Sequence, residues 1–279
     1  MLNFFKFYNV GAWIRNLGIP LIGILSLGFV PNLIYVIIIL LQLALLQAWS
    51  FSINNYFDAR IRKEKNYIAS LLEVYSSKKI LFLCVLPLIF LIFSFFVFRG
   101  NIIFLIIYIF LYDFLYEFPP FILKRSSFFS ILASPICLTL LPYLYAYLSF
   151  TNMFSIKSIT FLVILFFYMA FHEIIHQVAH SEKEKVLPKS LGIKGGIRVT
   201  KFILLVPVFI SIAVIALDFE KNLIFMITII FSIFRLHKLS KIQPKPEAFQ
   251  KIKYSWHKFY SVHEGFLYII FLILSNHLL

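Results

Sequence analysis

Nine apolar segments of near bilayer-spanning length make up most of this 279-residue chain. A transmembrane helix requires about 20 predominantly apolar residues, because the hydrocarbon core of a bilayer is about 30 Å thick. We therefore predict an all-α, polytopic integral membrane protein with about nine transmembrane helices in a single bundle. The predicted helices cover residues 14–30, 32–53, 80–98, 101–117, 127–149, 158–178, 199–217, 221–236 and 260–278.

The composition supports the membrane class and argues against a soluble domain. Hydrophobic residues make up 61% of the chain and charged residues 14%, whereas soluble domains average about 25% charged residues. No internal repeat or linker divides the chain, so we expect one helical domain over residues 1–279. Cys84 and Cys137 lie inside apolar segments and predict neither a disulfide nor a cysteine metal site. Residues 1–20 lack a small-residue cleavage site, so we expect no cleavable signal peptide.

The basic residues are distributed unevenly among the loops and predict an orientation. Lys and Arg concentrate in residues 54–79, 179–201 and 235–258, whereas the loops expected on the other side carry only Arg99, Lys157 and Lys221. The positive-inside rule places the basic loops in the cytoplasm. We therefore predict a cytoplasmic N-terminus, a C-terminus on the opposite side, and a cavity that faces the cytoplasm. The net charge of +14 follows from these loops, which face anionic lipid, and no nucleic-acid partner is expected.

Three polar segments follow the second, fourth and sixth apolar segments. The first reads NNYFDARIRKEKN over residues 54–66, and its Asn54 and Asp58 lie one helical turn apart on one face. The second reads YDFLYEFPPFILKR over residues 112–125. Its two prolines end a helix and stiffen the turn, which directs Lys124 toward the headgroup plane, where it could meet phosphate oxygens.

The third polar segment carries ionisable residues at regular spacing. His172, His176, His180 and Glu184 follow one another at intervals of four residues, so they form a slowly drifting stripe along a helix. Ionisable groups in membrane helices normally face the bundle interior and mark a functional site. We predict that Asn54/Asp58, Lys124 and His180/Glu184 converge on one cavity at the cytoplasmic side.

Together the three segments resemble the UbiA-type membrane prenyltransferase superfamily. The first motif of that family runs Asn-Asp-Tyr-Phe-Asp with a further Asp four residues later. Asn54, Tyr56, Phe57 and Asp58 match it. Asn55 replaces the first Asp and Arg62 the last. The proline pair with Leu123 and Lys124 resembles the second family segment. His176–Gln177 resembles the lead-in to the second Asp-rich motif, whose two Asp positions are occupied by His180 and Glu184, and residues 191–194 resemble the loop beyond.

The resemblance implies transfer of a polyprenyl group from a prenyl diphosphate to a small acceptor, with membrane lipid as surroundings. It implies that magnesium is held by Asn54, Asp58 and Glu184. It further implies that Arg62, Lys124 and Lys194 bind phosphate, and that His176 and His180 orient the acceptor or complete the metal shell. Because carboxylates are replaced in both Asp-rich motifs, we expect a single Mg²⁺ at most.

Three alternatives remain open at this stage. The more basic site could bind another lipid phosphate through protein cations in place of two magnesium ions. The chain could also be a non-catalytic lipid-binding protein with the same bundle. Finally, residues 172–176 read HEIIH, the zinc-protease pattern. A catalytic zinc needs a third protein ligand, for which Asp113 and Asp58 are the candidates.

Overall fold

A computed structural model describes residues 3–61, 63–117, 126–179, 187–217, 223–255 and 261–277. Within these ranges the chain forms helices joined by short turns, and it forms no strand. The α-helices are α1 (Phe4–Phe7), α2 (Val10–Trp13), α3 (Gly18–Leu25), α4 (Leu33–Arg60), α5 (Tyr67–Leu72), α6 (Ser77–Ser94), α7 (Ile103–Tyr108), α8 (Ser127–Pro135), α9 (Leu141–Leu148), α10 (Ile156–Ala179), α11 (Leu187–Leu217), α12 (Leu223–Ser240), α13 (Pro246–Ser255) and α14 (Ser261–His277).

The helices confirm the predicted all-α, polytopic architecture. Among the described residues, six helices are long and apolar enough to cross a membrane: Leu33–Arg60, Ser77–Ser94, Ile131–Leu148, Ile156–Ala179, Gly192–Leu217 and Leu223–Ser240. Three shorter apolar helices are Val10–Leu25, Ile103–Tyr116 and Val262–Ser275. Each of the nine overlaps one predicted segment. Helix α4 continues past Ile53, where the predicted apolar segment ends, so residues 54–60 of the first polar segment are helical.

Two stretches of π-helix interrupt the spanning segments, and the sequence did not predict them. One covers Ile136–Leu140 between α8 and α9. Pro142 follows two residues later; a proline lacks a backbone N–H, and in a regular α-helix its ring would clash with the carbonyl four residues earlier, here that of Leu138. A wider helical turn accommodates this conflict. The other covers Ile109–Glu117, immediately before the double proline.

The helices form two compact groups, and the first of them is built around α4. This group comprises Met1–Ile24, Pro31–Ile122 and Leu141–Asn152. Helix α4 packs against α6, α5 and α9. Gln42 of α4 is fully buried; it accepts a hydrogen bond from the Tyr145 hydroxyl and donates one to the Phe98 carbonyl at 3.1 Å. Polar side chains inside this group therefore fix the register between α4 and α9.

The second group is built around α10 and comprises Leu25–Val30, Leu123–Leu140 and Met153–Leu279. Helix α10 packs against α8, α11 and α13. The apolar core of this group includes Phe171, Ile175, Leu204, Phe225 and Phe249. Phe249 is the residue through which the short amphipathic helix α13 enters this core. The sequence prediction of one domain over residues 1–279 stays a prediction.

A buried ion pair joins α12 to α14 in the second group. Arg235 donates from Nη2 to Oε2 of Glu264 at 2.6 Å, and both residues are almost fully buried. The guanidinium Cζ lies 4.8 Å from the ring centroid of Tyr168, and the Tyr268 hydroxyl donates to Glu264 Oε1 at 2.6 Å. In an apolar bundle such charges persist only when each has a partner. This pair therefore fixes α14 against α12.

Removal of one partner of this ion pair is expected to destabilise the protein strongly. Glu264→Leu leaves a buried guanidinium without its counter-charge, which costs about 3–5 kcal/mol in folded proteins. Thermal unfolding in detergent measures the effect. The double variant Arg235→Met/Glu264→Leu removes both charges and is expected to recover most of the lost stability. A double variant as unstable as the single one would contradict this account of the pair.

Candidate functional site

The end of α4, which carries the first polar motif, is held in place by the segment that follows it. Asn66 donates from Nδ2 to the carbonyl of Asn55 at 2.8 Å, and its Oδ1 accepts from the N–H of Ala69 at 2.9 Å. The same side chain therefore caps α5 and ties it to the motif. The N–H of Glu64 donates to the carbonyl of Asp58 at 3.1 Å. The bond to Asp58 satisfies a carbonyl that a free helix end would leave without a partner.

The motif is also tied to α6 through one hydroxyl. The Tyr56 hydroxyl lies 2.6 Å from Oγ of Ser77, and Nη1 of Arg60 donates to the same Oγ at 2.5 Å. Ser77 is the first residue of α6. Tyr56 and Arg60 are one turn apart, so they present one face of α4 to α6. Asn54 and Asp58 lie on a different face, which leaves the predicted ligands out of this contact.

Asp58 is the predicted site residue whose environment is most informative. Asp58 is buried, with 8% of its surface exposed, although it lies within one turn of the helix end. Asn54, one turn earlier, is partly buried. The polar face continues into the helix through Ser50 and Gln47, which are buried as well. Spacings of four, four and three residues place these side chains along one stripe. Gln47 and Ser50 were not predicted, because single polar residues in an apolar segment give no periodic signal.

A second buried carboxylate, Asp113, lies on the π-helix Ile109–Glu117. Asp113 is 2% exposed, and its Oδ2 accepts from Nε1 of Trp49 at 2.8 Å. Trp49 belongs to α4, on another face than Asp58. The indole donor satisfies one oxygen of a carboxylate that would otherwise be costly inside an apolar bundle. The sequence had marked Asp113 only as a candidate zinc ligand, and its tryptophan partner was not foreseen.

The histidine-rich end of α10, in the second helical group, carries the remaining predicted residue that the structure describes with a partner, His176. Nδ1 of His176 lies 2.5 Å from Nζ of Lys253, which belongs to α13. Glu173 accepts from Oγ of Ser134 at 2.9 Å and from Nε2 of Gln177 at 3.1 Å. The Glu173 carboxylate thus joins α8 to α10. Lys253 was not predicted as a partner of His176, because the sequence does not indicate that this basic residue lies beside α10.

The loop that was expected beyond the second motif coincides with a break in α11. Gly192 has φ +67° and ψ 167°, a conformation that glycine adopts without steric cost. Lys194, a predicted phosphate ligand, follows two residues later and is exposed. An exposed ammonium near a helix break can reach an anionic group without a desolvation cost.

Four of the predicted site residues lie outside the described ranges: Arg62, Lys124, His180 and Glu184. The structure therefore brings together only the predicted pair Asn54 and Asp58, and it gives His176 a partner from another helix. The convergence of the three polar segments on one cavity stays a prediction.

The donor atoms of the described site fit magnesium better than zinc. Asn54 and Asp58 offer an amide oxygen and a carboxylate on one helix face, and Mg²⁺ is usually bound by one or two carboxylates, waters and substrate phosphates. Among the described residues, no group of three His, Cys, Asp or Glu side chains could hold a metal ion. The zinc-protease interpretation of residues 172–176 therefore finds no third ligand there, and its general base, Glu173, bonds instead to Ser134 and Gln177.

The helices and the motif define an integral membrane protein of many spans with a polar site at its helix ends. The sequence matches the UbiA prenyltransferase family over residues 18–261, and the chain belongs to that family. This confirms the resemblance that the three polar segments indicated. A search of curated proteins gave no match.

Solved structures of UbiA homologues share the fold. A UbiA homologue from Archaeoglobus fulgidus bound to DMAPP and Mg²⁺ has a TM-score of 0.73 at 15% identity, with 100% of both chains covered. The same homologue bound to GPP and Mg²⁺ has a TM-score of 0.72 at 16% identity, with 98% of this chain and 99% of that one covered. A structure described as digeranylgeranylglyceryl phosphate synthase in membranes has a TM-score of 0.73 at 15% identity, with 99% and 98% covered.

The zinc-protease interpretation has a direct test. We expect the purified protein to contain no stoichiometric zinc by elemental analysis, because His176 is in contact with a lysine ammonium and Glu173 with Ser134. Glu173→Gln preserves an oxygen acceptor for Ser134, so prenyl-diphosphate binding should stay within about twofold of the unmodified protein. One zinc per chain that is lost in His172→Ala would overturn this assignment.

Proposed function

We propose that this protein transfers a polyprenyl group from a prenyl diphosphate to a small acceptor within the membrane. The observation that carries the proposal is the buried Asp58 beside Asn54 at the end of α4, in a chain that belongs to the UbiA prenyltransferase family. Asn54 and Asp58 offer an amide oxygen and a carboxylate on one helix face, and oxygen ligands of this kind suit a Mg²⁺ ion that also binds a diphosphate.

In the proposed reaction the bond between the prenyl C1 and the diphosphate oxygen breaks, and the diphosphate leaves with the electron pair. The acceptor then attacks the allylic cation at C1 and loses a proton. Mg²⁺, when bound, neutralises the charge that develops on the leaving diphosphate. Asn54 and Asp58, together with Glu184, would hold it. The apolar helices shield the cation from water, and the 35 phenylalanines supply apolar lining for the prenyl chain.

Cationic side chains would neutralise part of the negative charge of the diphosphate. Asn55 and Arg62 stand where the first family motif has carboxylates, and His180 stands where the second has one. With Asp58 and Glu184 as the remaining matched carboxylates, we propose one bound Mg²⁺ at most. Arg62, Lys124 and Lys194 would contribute positive charge to the phosphate oxygens, while His176 and His180 orient substrate. Weak dependence on magnesium would follow from this exchange of carboxylates for cations.

We place the N-terminus in the cytoplasm and the C-terminus on the opposite side, following the distribution of basic loops. The lipid phosphates that reach the polar segments would then come from the cytoplasmic leaflet, together with a small acceptor. Basic residues near the headgroups also attract anionic lipid, so lipid is a partner of the protein as well as its surroundings.

Asp58→Asn is expected to weaken binding of geranyl diphosphate in the presence of Mg²⁺ by tenfold or more. The amide preserves the shape of the side chain but removes the charge that attracts the cation, and tenfold corresponds to about 1.4 kcal/mol. Equilibrium binding of radiolabelled geranyl diphosphate in detergent measures the change, with and without Mg²⁺. Glu73→Gln, an exposed carboxylate in the same helical group, is the matched control and should bind as the unmodified protein does.

Two results would contradict the proposal. If Asp58→Asn binds geranyl diphosphate as tightly as Glu73→Gln does, the metal is not held at the end of α4. If the unmodified protein binds no prenyl diphosphate at any magnesium concentration, the transferase proposal fails, and a non-catalytic lipid-binding role takes its place.

A further inference from the structure

One corner of the first helical group lies where the chain turns between two spanning helices. Helices α4 and α6 are both long and apolar enough to cross a membrane, and α5 joins the end of one to the start of the other. A segment that joins two consecutive spans lies at a membrane boundary, where headgroups and water replace the hydrocarbon. We call residues 3–8, 60–61 and 63–79 of this corner the boundary surface.

Hydrogen bonds hold the N-terminal helix α1 against the joining segment. The N–H of Asn3 donates to the hydroxyl of Tyr67 in α5 at 2.9 Å, and the Tyr8 hydroxyl donates to the carbonyl of Leu83 in α6 at 2.9 Å. Phe7 is fully buried and meets the Tyr8 ring edge-on, with centroids 4.9 Å apart. Helix α1 therefore has a defined place at the same membrane boundary as α5.

The boundary surface exposes apolar side chains that water solvates poorly. Phe5 is 74% exposed, and its neighbour Phe4 is exposed as well. Ile61 at the end of α4 and Val74 after α5 are also exposed. Each such side chain costs free energy in water in proportion to its apolar area. At a membrane boundary the cost is removed when the side chains insert among the acyl chains below the headgroups, as they do in interfacial helices.

Cationic side chains belong to the same surface. Nη1 of Arg60 donates to Oγ of Ser77, which brings the guanidinium to the first turn of α6, where Lys78 and Lys79 follow. Nζ of Lys79 lies 4.8 Å from the ring centroid of Tyr75. Arg60 and the two lysines are exposed. Like charges so close together repel one another, and a bound anion relieves that repulsion.

The acidic residues of the boundary surface leave these cations without a counter-charge. Lys6, Lys63 and Lys65 add exposed positive charge, against the two exposed acids Glu64 and Glu73. Within the described part of the chain, neither glutamate forms an ion pair with a lysine or an arginine. The surface therefore carries an excess of positive charge, which complements the negative charge of an anionic leaflet.

We propose that the boundary surface binds anionic phospholipids of the surrounding bilayer. The headgroup phosphates contact Arg60, Lys78 and Lys79, while Phe4 and Phe5 insert among the acyl chains. This partner is distinct from the prenyl diphosphate of the proposed function, because the boundary surface contains none of the proposed metal or phosphate ligands. The proposal therefore holds whether or not the protein is a transferase.

Native mass spectrometry, which resolves individually bound lipids, tests the charged part of the surface. Dioctanoyl-phosphatidylglycerol and dioctanoyl-phosphatidylcholine have the same acyl chains and differ in net charge, so we expect the first to bind about fivefold more tightly or better. Lys78→Gln/Lys79→Gln should remove most of this preference. Lys241→Gln/Lys245→Gln removes two exposed lysines from the second helical group and should preserve it.

A second pair of variants tests the apolar part of the surface. Phe4→Gln/Phe5→Gln removes the groups that insert among the acyl chains and should weaken phosphatidylglycerol binding about fivefold or more. Phe4→Leu/Phe5→Leu preserves apolar side chains and should remain within about twofold of the unmodified protein. Thermal unfolding without added lipid identifies variants that misfold, and Lys78→Met/Lys79→Met then replaces a misfolded glutamine pair.

Three results would overturn the proposal. The first is equal affinity of the unmodified protein for the two lipids. The second is a phosphatidylglycerol preference in Lys78→Gln/Lys79→Gln as large as that in Lys241→Gln/Lys245→Gln. The third is an equal loss of preference in both pairs of variants, because net charge alone would then attract the lipid and the boundary surface would have no particular part in binding it.

Discussion

Burying a charged side chain inside an apolar helical protein costs free energy, and the contacts of this structure depend on that cost. Each ionisable group that leaves water needs a partner, a position near a helix end or a ligand. Arg235 and Glu264 satisfy the requirement with each other, and Asp113 satisfies part of it with the indole of Trp49. Asp58 is buried within one turn of the end of α4. The contacts of Arg235, Glu264 and Asp113 hold helices together, whereas Asp58 lies at the helix end where we propose that a cation binds.

The same cost of burying polar groups explains why the helix ends form hydrogen bonds with neighbouring segments. Asn66 caps α5 and bonds to the carbonyl of Asn55, Ser77 bonds to Tyr56 and Arg60, and Gln250 caps α10. Backbone groups near lipid must be satisfied by the protein itself. Gln250 meets this requirement for the last carbonyl of α10, while the side chains of Asn66 and Ser77 hold the end of α4 to α5 and α6.

The sequence predicted the nine apolar helices, because hydrophobic length is a strong signal, and the family, because Asn54, Asp58, Lys124 and His176 retain motif spacing. It did not predict the π-helices at Ile109–Glu117 and Ile136–Leu140, since these depend on local competition between proline and backbone hydrogen bonds. Nor did it predict the partners of His176 and Asp113. Lys253 is 77 positions from His176 and Trp49 is 64 from Asp113, so only the packing of the helices brings each pair together. Local patterns thus indicate candidate ligands, while the neighbours of these residues depend on the fold.

The central claim is that the end of α4 holds the diphosphate through a magnesium ion on Asp58. An experimental structure of the protein with geranyl diphosphate and Mg²⁺ tests it most directly. The account predicts a single ion at about 2.1 Å from a carboxylate oxygen of Asp58, with phosphate oxygens and waters as further ligands. A diphosphate bound away from Asp58, or a metal ion bound by His172 and His176, would contradict it.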